Sequence, residues 1–78
     1  MDPIKAENWI NNMETTFRAM QVPHRHKTRL ATIMLEDEAY HWWRTEEKTR
    51  FVARDINSIT WSEFVAAFNE QYFPEPVI

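Results

Sequence analysis

The side chains in this chain that can bind a metal or move a proton are three histidines, twelve carboxylates and a scatter of hydroxyls. His24 and His26 lie two residues apart, which on a helix turns them roughly 200° away from one another. They do not converge as a pair four residues apart does, and His41 is remote in sequence. The chain has no cysteine, so there is no thiolate to complete a zinc site, no thiol nucleophile and no disulfide. Glu36, Asp37 and Glu38 are consecutive, which suits the exposed N–H groups of a helix start better than an acid/base pair. A calcium loop needs alternating oxygen ligands closed by a glutamate over about twelve residues, and no such run occurs. Phosphate-cradling loops need glycine, and there is none. Ser58 and Ser62 have no histidine that sequence alone can set beside them. The expectation is a non-enzymatic protein without metal or cofactor.

Charge points to contact chemistry instead. Nine basic and twelve acidic residues give a net charge of -3, no general attraction to nucleic acid or anionic lipid. The distribution is uneven: Arg18 to Arg29 holds four Arg or Lys residues, two histidines and no acid, whereas Glu36-Asp37-Glu38 is wholly acidic. Arg25, Lys27 and Arg29 are candidates for an electrostatic contact with an acidic patch on another copy or a partner, a solvated helix face being the plainer account. Phosphate contacts are the third option. The aromatic residues follow helical periodicity rather than alternating with basic ones as stacking platforms do, so nucleic-acid binding through this domain alone is not favoured. No apolar run approaches the roughly 18 residues of a membrane span, and the amino terminus lacks a secretory h-region. An intracellular, cytoplasmic setting without membrane partners is the default.

The elements that must carry these residues are helices. Four tryptophans in 78 residues, within an aromatic content of 14%, supply large apolar areas to a chain near the lower size limit for one core. Asp2-Pro3 suits a cap followed by a first helical position. Ala6, Trp9, Ile10, Met13, Phe17 and Met20 then recur within a band about 100° wide. Gln21-Val22-Pro23 breaks the pattern, and a second helix is expected from about His24 to Leu35, with Leu30, Ala31, Ile33, Met34 and Leu35 spread over so wide an arc that more than one side of it is open to contact. A third helix should begin around Glu36 to Glu38. Its Trp42 and Trp43 diverge by about 100°, so each fills a different groove or one stays partly outside. Phe51-Val52-Ala53 is compatible with a prolonged third helix, and Asp55 to Ser58 with a connection. Thr60-Trp61-Ser62-Glu63 satisfies the capping-box pattern, with Ile59 and Phe64 at the hydrophobic-staple positions. The fourth helix sets Trp61, Phe64, Val65, Phe68 and Tyr72 on one face and ends before Pro74, after which residues 74–78 read as the start of a linker. The fold class is all-α: a compact bundle of four main helices over residues 1–73, with Trp9, Met13, Phe17, Leu35, Ala39, Trp61, Phe64, Phe68 and Tyr72 as its core.

Leu35-Glu36-Asp37-Glu38-Ala39-Tyr40-His41-Trp42-Trp43, then Thr60-Trp61-Ser62-Glu63-Phe64, then Phe68-Asn69-Glu70-Gln71-Tyr72-Phe73-Pro74 resembles the amino-terminal capsid lobe of Ty3/gypsy-type retrotransposon gag proteins. Trp9 and Phe17 match aromatic positions of that family's first helix, so the resemblance spans essentially the whole chain. One position departs: the family often carries glycine in a Leu-x-Gly-x-Ala stretch where this chain has Asp37. Asp tolerates a left-handed junction better than most residues, and the alternative is that Asp37 caps the third helix.

The resemblance implies a helical lobe that contributes to self-assembly of gag into shells, with other capsid copies as partners, in an active retroelement or a host-adopted gene. The second capsid lobe and the zinc knuckle common in gag proteins are not in this sequence, so RNA packaging is not assigned to it. Host-adopted gag domains that use an interhelical groove imply an alternative, a peptide- or protein-binding adaptor. The groove expected for it contains Tyr40, Trp42 and Trp43 and is rimmed by Arg44 and Arg50.

Overall fold

The computed structural model describes residues 1–73; the linker expected at 74–78 lies outside the described residues. Four α-helices are present: α1 Pro3–Ala19, α2 His24–Ile33, α3 Asp37–Lys48 and α4 Trp61–Tyr72, with a single 3-10 turn, Ile56–Ser58, before α4. α4 is the central element. It packs against both α1 and α2, and α2 also lies along the 3-10 turn.

Each start follows from local chemistry, with one exception. Asp2 caps α1 by accepting a hydrogen bond from the Lys5 N–H at 2.8 Å, and Pro3 takes the first helical position. Thr60 accepts from the Glu63 N–H at 3.1 Å while Glu63 accepts from the Thr60 N–H at 3.0 Å, completing the capping box of α4. α2 is the exception: like α3 it has no side-chain cap, but where α3 sets Asp37 and Glu38 in its first turn, α2 starts at Pro23 with no acid there.

The turns depend on left-handed residues, and none of them is glycine. α1 closes with the Val22 N–H on the Phe17 carbonyl and the Gln21 N–H on the Arg18 carbonyl, the double bond of a Schellman ending, with Gln21 at φ 54° where glycine is usual. Asp37 has φ 50° and makes no side-chain cap, so the left-handed junction, not the cap, is its role. Ala53 has φ 62° and ends the turn that follows α3; Phe51-Val52-Ala53 therefore does not prolong the helix.

Burial follows the helical stripes. Ala6, Ile10, Phe17, Ala31, Leu35, Ala39, Trp43, Phe51, Ile59, Phe64, Ala67, Phe68 and Tyr72 form the core, with Trp9, Met13, Trp42 and Trp61 half-buried against it. Two expectations are corrected. α2 stops at Ile33, and Leu35 enters the core from the connector, because the chain must turn extended before Asp37. Met20, expected on the inward band of α1, is 71% exposed, because the helix ends at Ala19 and the chain reverses there.

Candidate contact surface

The tryptophan pair is the first place to look for a groove. Trp43 is only 3% exposed and packs on Phe51 and Phe64, with ring centroids 5.5 and 5.2 Å away. Trp42 runs further along α4, meeting Phe64, Phe68 and Tyr72 at 5.9–6.1 Å, and its indole N–H donates to Glu46 at 3.1 Å. The two indoles therefore spread over one stripe of α4 and its neighbour Phe51, and Phe64 is touched by both.

The expected groove of Tyr40, Trp42, Trp43, Arg44 and Arg50 is not assembled. Trp43 is sealed in the core, and Tyr40 and Arg44 stand outside, paired with each other through a 3.0 Å hydrogen bond to the phenol oxygen. Arg50 is held by Glu46 at 3.5 Å and Glu70 at 2.6 Å, a brace between the end of α3 and α4. The hydrogen bond to Glu70 raises the Arg50 pKa above its ordinary value and lowers that of Glu70. Arg54 forms a second brace, donating to both carboxylate oxygens of Glu63 and to the Ser58 carbonyl. Arg54 and the Thr60 N–H together hold the Glu63 carboxyl down to about 2. Neither brace was legible in the sequence, since their partners are 20 and 9 residues apart and belong to no local motif.

The basic segment does not form one patch either. Arg25 and Arg29 are exposed, four residues apart on one face of α2, and Arg29 reaches the His26 ring nitrogen at 3.3 Å. Lys27 turns away and sets its ammonium 6.0 Å from the centroid of the Phe17 ring.

An open groove of about 730 Å³ lies elsewhere, between α1 and the α2–α3 corner. Trp9, Met13, Met34 and Ala39 give it apolar walls, and Glu36, Asp37 and Glu38 edge it with acid. Beside it Met34 is 55% and Ile33 68% exposed, the apolar remainder of the wide α2 arc. Burial raises the pKa of Tyr72, and the nearby Glu38 charge adds to the effect. Among the described residues no group of three or more His, Cys, Asp or Glu side chains is placed to hold a metal ion. No helix among them is long and apolar enough to cross a membrane.

The described residues thus form a four-helix lobe with a packed aromatic centre and with Met20, Ile33 and Met34 left exposed. The chain belongs to the family described as "Retrotransposon-derived protein PEG10, N-terminal capsid-like domain", which it matches over residues 1–73. The family is a structural, non-enzymatic one of retrotransposon gag-capsid origin. No curated protein and no solved structure gave a significant match.

Proposed function

We propose that this chain is a structural self-assembly module: a capsid-like lobe whose outer helix faces make repeated weak contacts with further copies of itself, in an intracellular setting. The observation that carries the reading is the family match over residues 1–73 together with a closed core that leaves Ile33, Met34 and Met20 facing outward. Weak contacts of this kind persist only when many act together, because linkage raises the effective concentration of each successive contact. A host protein or peptide as an additional partner remains secondary, since the groove expected around Trp42 and Trp43 is filled by the core.

The test is display. Fused to a trimeric coiled coil through a flexible linker, the chain should form assemblies much larger than the trimer, visible by light scattering and electron microscopy. Discrete trimers at every concentration would overturn the reading.

A further inference from the structure

We propose that the groove between α1 and the α2–α3 corner docks a basic amphipathic helix of a partner protein. This stands apart from the self-assembly reading, which neither supplies the site nor depends on it.

The walls are apolar and adaptable. Trp9, Asn12 and Met13 lie at steps of three and four residues on one face of α1, and Met34 and Ala39 line the groove from the corner. Three of the four methionines in the chain, Met1, Met13 and Met34, line this one groove. Met1 is 37% and Met34 55% exposed, so much of this apolar surface stays in contact with solvent. Methionine is unbranched and polarizable, and a wall built from it moulds to the side chains of a docked helix.

The rim selects the charge of the occupant. Glu36, Asp37 and Glu38 are exposed at its edge, and Glu36 and Asp37 have no ion-pair partner among the described residues. Glu38 has one, the Met1 ammonium at 3.6 Å. The structure thus already sets an apolar side chain with a cation beside it in this groove, and two further carboxylates stand open to the same chemistry. Among the described residues that line the groove there is no Lys or Arg to meet them. Lysine and arginine of a partner supply both halves of the match, since their stems lie along apolar walls while their charged heads reach the rim.

The backbone argues for a helix over an extended peptide. α1 keeps its backbone hydrogen bonds within the helix, and no strand is present among the described residues, so an extended segment finds no sheet edge to pair with. A helix satisfies its own backbone and presents only side chains. They repeat at the same three- and four-residue steps as Trp9, Asn12 and Met13.

Nuclear magnetic resonance of the whole 78-residue chain, labelled on its methionine methyl groups, tests the proposal. The fourth methionine, Met20, is 71% exposed and does not line the groove, so it serves as the internal control. The probe is a capped peptide of about four helical turns built from leucine and lysine, with the leucines on one face. It should shift the Met13 and Met34 methyl signals saturably, leave Met20 in place, and bind less tightly as salt rises. Glu36→Gln combined with Glu38→Gln should weaken binding by about three- to tenfold. Met34→Asp should weaken it by about tenfold or more. All three positions are exposed, so the urea midpoint of each variant should stay near that of the wild type. An isomeric peptide with its leucines spread round every side of the helix should not bind. Equal binding of that isomer overturns the amphipathic occupant. A Met20 signal that moves with the others, or no shift at about 1 mM peptide, overturns the groove. Binding indifferent to the double glutamine variant overturns the charge match. None of these outcomes bears on whether the chain assembles when displayed on the trimer.

Discussion

α4 and α2 are of similar length and touch one another, yet they are built on opposite terms. α4 opens with a reciprocal cap, is braced by Arg54 through Glu63 and by Arg50 through Glu70, and buries Phe64, Ala67, Phe68 and Tyr72. α2 opens uncapped, gathers cations at its positive end, buries only Thr28 and Ala31, and leaves Ile33 in water. One helix is made by its own sequence and then holds the others. The second is held by its neighbours, and its outer face is free of any duty to the fold. The outer face of α2 thus takes no part in the core.

The largest test of this contrast is Phe64→Ala. The ring is fully buried and lies within 6.2 Å of all four indoles, so its removal should cost about 3–5 kcal/mol in urea unfolding and leave the chain barely folded. Thr60→Ala should cost about 1 kcal/mol by the same measurement, through loss of the cap; no substitution at the uncapped Pro23 can remove an equivalent bond.

The Arg54–Glu63 brace predicts a pH dependence. The folded-state pKa of Glu63 is lowered to about 2, so its stabilising effect is complete above the ordinary carboxyl value. That effect is lost as pH falls from the ordinary value toward 2. Glu63→Gln should therefore be less stable than wild type at neutral pH, and the gap should narrow on acidification. A gap constant from pH 6 to pH 2 would show that the ionised pair contributes nothing.

Smaller effects are expected on α2. The Thr28 hydroxyl is buried without a hydrogen-bond partner among the described residues, so Thr28→Val should stabilise the protein by up to about 1 kcal/mol, seen as a higher urea midpoint. Ile33→Ser should change the unfolding free energy of the monomer by no more than about 0.5 kcal/mol. A large loss there would mean that the outer face of α2 serves the fold after all, and the contrast with α4 would fail.

Much of the architecture is legible in the sequence. The stripes at Ala6 to Phe17 and at Trp61 to Tyr72 specify helices whose apolar faces can only close on each other, and Thr60 and Glu63 announce the start of α4 from four residues. The junctions were harder. Helix ends are ordinarily marked by glycine, and here Gln21, Asp37 and Ala53 take up left-handed backbone without that signal. Only Asp37 could be suspected, because the family resemblance pointed to glycine at its position. The contact surface was hardest. Adjacent indoles look like an interface in one dimension, but whether they are exposed is decided by α4, whose Phe64 both of them meet and which is some twenty residues away in the chain. The groove at Trp9, Met13 and Met34 draws on α1 and on the α2–α3 corner some twenty residues later, and leaves no local pattern.

The convergence of Trp9, Trp42, Trp43 and Trp61 on Phe64 has a practical consequence. All four emitting indoles sit against one ring at the centre of the protein, so its intrinsic emission should follow unfolding closely and respond little to events on the outer face of α2. Trp9 alone also borders the open groove. An emission change abolished by replacing Trp9 with phenylalanine, with the other three indoles silent, would therefore mark occupancy of that groove and nothing deeper.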